Sequence, residues 1–166
     1  MSTTTTFNIT MSDTADVTLQ HTREHVAQLL IKSPLYSHLL SHVQLVSATP
    51  QQVTCHLALE DYHLNSKGGL HGAVSACIVD FIGGVSIAAY DNRDNTGVST
   101  DIHVTYLSSA KTGDTIEIEG RAPKVGGSLA FTECVIRKIV AGKKREEWPI
   151  VAKGSHTKFV RTKTQS

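Results

Sequence analysis

Apolar residues along this chain follow two rhythms. Ala15 to Leu30 sets Val26, Leu29 and Leu30 among polar positions, which predicts a helix. Ser33-Pro34 interrupts it, and a short helical piece through Leu39-Leu40 follows. From Gln44 to Glu60, with a turn at Thr49-Pro50, the rhythm changes to two: Val53, Cys55, Leu57 and Leu59 alternate with Thr54, His56, Ala58 and Glu60. That alternation marks a half-buried strand. A loop from Asp61 to Leu70 then leads into a run from about Gly72 to Tyr90 that is apolar nearly all round, a helix that other elements must surround. Four β-rich segments follow: Val98 to Leu107, Thr115 to Ala122, Ser128 to Lys138 and Ile150 to Val160. Turns at Gly113-Asp114 and Gly126-Gly127 separate the first three, and a charged loop, Val140 to Pro149, reads as a solvated hairpin tip. The order predicts an α+β fold, with an antiparallel sheet of five to six strands wrapped around one long apolar helix. Such a sheet is expected to meet a second copy of the chain through an exposed edge or face.

Composition narrows this picture. With 166 residues the chain suits one domain, placed at 15–162 with an N-terminal helical segment at 15–40, after a disordered tail at 1–14. A net charge of +1 argues against a nucleic-acid or membrane-surface binder, which needs a basic patch. Gly68 to Tyr90 is long enough to suggest a membrane span, but Asp80 near its middle favours a buried soluble helix. Cys55, Cys77 and Cys134 form no C-x-x-C pair and sit in apolar stretches, so they read as small buried hydrophobes in a reducing compartment. No N-terminal apolar h-region is present, and the Ser/Thr-rich opening lacks the arginines of a presequence, so a cytoplasmic or mitochondrial location is expected. His21/His25 and His38/His42 have a spacing that can hold a metal. Without a third ligand nearby they read as solvated helix faces, and no metal site is expected.

Candidate chemistry gathers where the loop meets the long helix, at Asn65-Ser66-Lys67-Gly68-Gly69-Leu70-His71-Gly72. A helix start carries unpaired N–H groups and partial positive charge, and a glycine at 72 admits close approach of a ligand. The Gly72 amide and the Asn65 side-chain NH₂ would together suit a thioester carbonyl becoming an oxyanion. Asp80 interrupts the apolar run and must be paired, hydrogen-bonded or functional; a structural acid held by a neighbouring hydroxyl is the other reading. It stands eight residues beyond Gly72, which on a helix is about 12 Å. A water held by Asp80 cannot therefore attack a carbonyl docked at the start of the same helix. If both serve one reaction, they come from two subunits related by a twofold axis. Ser99, at the start of a strand, is a candidate for orienting that water, or an exposed strand serine. No G-x-S-x-G elbow and no G-x-G-x-x-G occurs, which disfavours a nucleophilic serine and a dinucleotide site.

Several ordered stretches then coincide: Asn65 with Leu70-His71-Gly72; Val79-Asp80; Gly97-Val98-Ser99-Thr100-Asp101; Thr105 to Lys111; Leu129-Ala130-Phe131-Thr132; and Gly154-Ser155-His156-Thr157-Lys158. Together they resemble the hotdog-fold thioesterases of the phenylacetate-degradation type, over roughly Leu45 to Phe159. The resemblance implies that Gly72 N–H and Asn65 polarise the thioester carbonyl, with His71 helping to hold Asn65. It implies that Asp80 of the opposing subunit, aided by Ser99, activates water. Coenzyme A contacts would come from Asp61, Asp101, Tyr106, Leu107, Ser108, Ser109, Ala110 and Lys111. The turn of Lys124, Val125, Gly126, Gly127, Ser128 and Leu129 would add to them, with Phe159 nearby. It further implies a dimer of dimers, an acyl-CoA substrate with long fatty chains ahead of aryl-acetyl groups, no metal, and no cofactor beyond the coenzyme A of the substrate. The chain departs from the pattern at Ala73, at Ser109 and at Phe159, where the family carries glycine, proline and histidine.

Other readings of such a chain are a hydratase or dehydratase on acyl thioesters and a non-catalytic acyl-CoA-binding protein. The D-x-N-P-x-H pattern of hydratases is absent, and Asn65, Gly72, Asp80 and Ser99 are all retained, which favours hydrolysis.

Overall fold

A computed structural model describes residues 11–161. Helix α1 (Met11–Lys32) begins four residues ahead of the expected Ala15. Ser12 and Asp13 are residue types that a helix start accepts; residues 1–10 of the expected tail lie outside the described residues. Pro34 ends α1 and becomes the first residue of a second helix, α2 (Pro34–Leu39), where its missing N–H costs nothing. Ser33 caps α2 from extended backbone, its Oγ accepting the Tyr36 amide at 3.3 Å.

The alternating stretch after α2 is two strands, β1 (Gln44–Ala48) and β2 (Val53–Ala58), paired as an antiparallel hairpin. Thr49 Oγ1 closes their turn by accepting the amides of Gln51 and Gln52. The long apolar run is helix α3 (Gly72–Asp91), and β3 (Val98–Tyr106), β4 (Thr115–Val125), β5 (Leu129–Lys138) and β6 (Ile150–Phe159) complete the chain. The six strands form one antiparallel sheet in the order β1-β2-β4-β5-β6-β3. The expected α+β architecture of a sheet around one long helix is therefore the one observed.

Ile78, Phe81, Ile82 and Val85 of α3 are fully buried against Leu57, Ile116, Ile118 and Ile136 of the sheet. Each such side chain contributes roughly 1.5–3 kcal/mol by leaving water. Two strand glycines let the helix lie this close: a Cβ at Gly154 would stand 2.4 Å from Val79, and one at Gly120 2.4 Å from Ile82 and Ser86. The helix is long and apolar enough to cross a membrane, yet 78% of its most apolar window is buried in the protein. Its apolar surface is thus used by the core.

Two departures from the sequence reading stand out. The charged loop before β6 is strapped to the sheet, because Arg145 Nε donates to Glu117 at 2.8 Å and its Nη2 meets Glu119. Glu117 and Glu119 share one face of β4 and are buried, so their charges need guanidinium partners, and the loop supplies one. His21 and His25 face a polar cleft of about 740 Å³ shared with Lys32 and Asp94, rather than open solvent. Among the described residues no group of three metal-ligating side chains forms there or elsewhere.

Candidate active site

The loop before α3 is built to present Asn65. Its backbone closes on itself through Asn65 N–H to Gly69 O at 2.8 Å and Gly68 N–H to Asn65 O at 2.9 Å. Gly68 takes a φ of 77°, the left-handed region where glycine is favoured. The Asn65 side-chain oxygen accepts the amides of Lys67 at 2.9 Å and Gly69 at 3.3 Å. That leaves the NH₂ group, two donors, as the outward end of a fixed side chain.

His71 caps α3, its Nδ1 accepting the Ala73 amide at 3.0 Å. Its hydrogen bond goes to that amide and not to Asn65, whose oxygen the loop amides hold. The Gly72 amide, first in the helix, has no acceptor among the described residues. Tyr106 at the end of β3 pins this corner, its hydroxyl donating to the Gly72 carbonyl at 3.1 Å. Below, buried His63 ties the loop to α2: Nδ1 accepts the Glu60 amide at 2.9 Å, and Nε2 lies 2.7 Å from the Leu39 carbonyl. Between α2 and the start of α3 opens a mainly apolar cavity of about 330 Å³, walled by Leu35, Leu39, Tyr62, Val74 and Cys77.

Asp80 lies two turns further along α3 and keeps 31% of its side chain exposed. Ser99 Oγ donates to Oδ1 at 3.1 Å, and Tyr36 donates its hydroxyl to Oδ2 at 2.7 Å. His156 Nε2 stands 2.9 Å from Ser99 Oγ and 3.6 Å from Oδ1, and Lys158 Nζ 3.8 Å from Oδ1. With the His156 proton on Nε2, a chain of donors runs from imidazole to hydroxyl to carboxylate. Burial holds His156 below the usual histidine range, helped by the charge of Lys158 and opposed by Asp80. Burial likewise lowers Lys158, against the pull of Asp80. Burial, then the Asp80 hydrogen bond, raises Tyr36, so that phenol stays a donor. Asp80 is thus a partly exposed carboxylate ringed by donors, an arrangement suited to holding a water.

Tyr36, His156 and Lys158 were not marked as site residues by the sequence pattern. His156 and Lys158 fall in a stretch that carried the family likeness, whereas nothing local marks Tyr36, which reaches Asp80 across 44 positions. Cys77 lies beside the cavity, but burial and then Asp80 raise its thiol to about 11, so it is no nucleophile at neutral pH. All three cysteines are free and buried, as their apolar settings suggested.

The residues expected to hold coenzyme A form two groups. Tyr106, Leu107, Ser108, Ser109, Ala110 and Lys111 follow the end of β3 beside the Asn65 loop, joined to it by Leu70 N–H to Ala110 O at 2.7 Å. Asp61 joins this group through Thr112, whose hydroxyl donates to it at 2.6 Å. All but Ala110 are exposed. Lys124, Val125, Gly126, Gly127, Ser128 and Leu129 form the β4–β5 turn beside Phe159, at the other end of β3, where Val98 pairs with Phe159. Asp101 lies in that half of β3, exposed. A nine-residue strand spans about 27 Å, so within one chain the two groups are far apart.

Comparison with known proteins adds to this geometry. A model of the thioesterase superfamily matches residues 67–141. Acyl-coenzyme A thioesterase 13 of Mus musculus is 36% identical over 141 residues, covering 85% of this chain and 95% of that one. The crystal structure of zebra fish thioesterase superfamily member 2 superposes with a TM-score of 0.71 at 31% identity, over 89% of this chain and 98% of that one. A Streptococcus mutans protein solved bound to acetyl CoA gives a TM-score of 0.64 at 25% identity, over 76% and 94% of the two chains.

Proposed function

This chain belongs to the thioesterase superfamily, with its hotdog fold, and is a thioester hydrolase; from that premise we propose that it hydrolyses acyl-CoA with water activated by Asp80 at a site shared between two subunits. The Gly72 amide and the Asn65 NH₂ group receive the thioester carbonyl oxygen. Asp80 of the other subunit takes a proton from water as its oxygen bonds to the carbonyl carbon. The oxyanion rests on the two donors. It then collapses with cleavage of the C–S bond, and the proton held by Asp80 goes to the leaving coenzyme A sulfur. Free acid and coenzyme A leave, and the scheme uses no metal and no resident cofactor.

One observation carries the shared site: the two halves of the chemistry are tied to opposite ends of one exposed edge strand. Tyr106, at the end of β3, bonds Gly72, and Ser99, near its start, bonds Asp80. Among the described residues β3 has no partner on its outer side, and every residue in it except Val104 is exposed. Antiparallel pairing of two such edges about a twofold axis would bring the Gly72 end of one chain to the Asp80 end of its partner. The same operation would join the two expected coenzyme A segments, which one chain holds apart. Pairing would also satisfy an edge that otherwise invites uncontrolled association. A further pairing of such dimers fits the same scheme.

The apolar cavity beside α2 favours an acyl group with a hydrocarbon chain, since its walls offer little to hydrogen-bond. The S. mutans relative solved with acetyl CoA supports coenzyme A as the carrier. Release of coenzyme A thiol from acyl-CoAs of graded chain length and from phenylacetyl-CoA tests the reading, with Asp80→Asn as control. Hydrolysis that Asp80→Asn abolishes while fold and oligomer persist is the expected result. Wild-type turnover by Asp80→Asn would remove Asp80 as the base, and binding without turnover across the panel would make the protein an acyl-CoA binder.

A further inference from the structure

Asp80 is held from both sides, and one of its holders, Tyr36, comes from outside the stretches that carry the family likeness. We propose that Tyr36 is a positioning residue for the Asp80 base, its phenol fixing the second carboxylate oxygen so that the carboxylate plane is set before water arrives. The inference rests on the reading of Asp80 as general base.

The geometry has three parts. Ser99 fixes only Oδ1, at 3.1 Å, and His156 and Lys158 also lie on the Oδ1 side, at 3.6 and 3.8 Å. An aspartate turns broadly about its Cβ–Cγ bond, so anchoring one oxygen leaves the other free to swing. Tyr36 occupies Oδ2 at 2.7 Å, the shorter of the two hydroxyl contacts. Each carboxylate oxygen has two acceptor sites, so Oδ2 keeps one lone pair for a water, in a direction the phenol defines.

The phenol itself has little freedom. Its ring packs edge-on against Phe81, centroids 5.5 Å apart and planes at 75°. Its backbone amide is capped by Ser33, and the far end of α2 is held where Leu40 is buried and His63 meets the Leu39 carbonyl at 2.7 Å. Pro34 presets the first turn of α2. A hydroxyl on a rigid short helix, aimed at a partly exposed carboxylate, serves orientation more than stability.

Tyr36→Phe keeps the ring and its contact with Phe81 and removes only the donor. The test is coenzyme A thiol release across pH for wild type, Tyr36→Phe and Asp80→Asn. Because the phenol's hydrogen bond orients the base, kcat for Tyr36→Phe is expected to fall about tenfold, with KM within about twofold. Losing a donor disfavours the charged carboxylate, so the acid limb of the kcat profile should lie at higher pH in Tyr36→Phe than in wild type. The other groups facing Asp80, namely Cys77 on its own helix, Ser99, His156 and Lys158, are the same in both proteins, so the difference reports the phenol. Tyr36→Phe with unchanged kcat and an unchanged acid limb, while Asp80→Asn is inactive, would overturn the proposal and leave the base assignment standing. Full activity of Asp80→Asn would overturn both.

Discussion

Asn65 shows how a loop can fix a side chain with its donors outward, as the proposed oxyanion role requires. Its amide oxygen is used twice by loop N–H groups, so the NH₂ group cannot flip inward without losing both bonds. Asn65→Ala removes the proposed oxyanion donor along with the loop's side-chain acceptor, and hydrolysis is expected to fall by roughly 10²-fold in kcat, read by the same thiol-release assay. A fall confined to KM would point to ground-state binding instead. Asp80 was visible at this scale because a carboxylate in an apolar run needs a reason. The residue that answers it at Oδ2, Tyr36, was not visible, because a tyrosine two residues past a Ser-Pro break has no local oddity.

At the level of elements, the long helix and the sheet read correctly from their rhythms, and the charged loop is the largely exposed hairpin tip expected, except that Arg145 is tied back to the sheet. Lys143-Lys144-Arg145-Glu146-Glu147 looks like a solvated tip by composition. What decides its place is the pair of buried carboxylates on β4, which alternation records only as polar positions of a half-buried strand. Burial pushes Glu119 up, but Arg145, Arg137 and Arg121 more than offset it, and its carboxyl sits below the usual range. Arg145→Ala should therefore destabilise the fold by about 1–3 kcal/mol near neutral pH, measured by denaturant unfolding. A carboxyl held low stabilises the fold above its unfolded pKa of about 4.3, and that contribution is lost as pH falls through the lower folded value. The gap between wild type and Arg145→Ala should then close as pH drops below about 4. A gap of constant size down to acid pH would show that the loop acts through packing and not charge.

For the whole molecule, the decisive quantity is the separation of about 12 Å along α3 between Gly72 and Asp80. On the proposed mechanism a single chain does not bring Asp80 to a carbonyl held at Gly72, so activity is expected to belong to a dimer. Mixing inactive Asp80→Ala and Asn65→Ala chains should restore activity, because one of the two sites in each mixed dimer then has both Asn65 and Asp80. With random exchange of equal amounts, half the dimers are mixed, and about a quarter of wild-type activity is expected. Subunit exchange shown by a tag pull-down, with no recovered turnover, would place each site within one chain.

The sequence by itself determined the layout: one apolar helix long enough to need wrapping, strands that alternate, and an Asn–Gly–Asp–Ser set at family spacing. Those features are local, since period, glycine placement and a misplaced charge are written in neighbouring residues. The tie of Arg145 to the sheet, the cleft around His21 and His25, and the ring of Tyr36, His156 and Lys158 about Asp80 were decided only by the tertiary structure. Each depends on contacts between residues tens of positions apart, such as Tyr36 with Asp80 and Arg145 with Glu117. A hydrogen bond of that kind depends on where two elements pack, and no spacing along the chain encodes it.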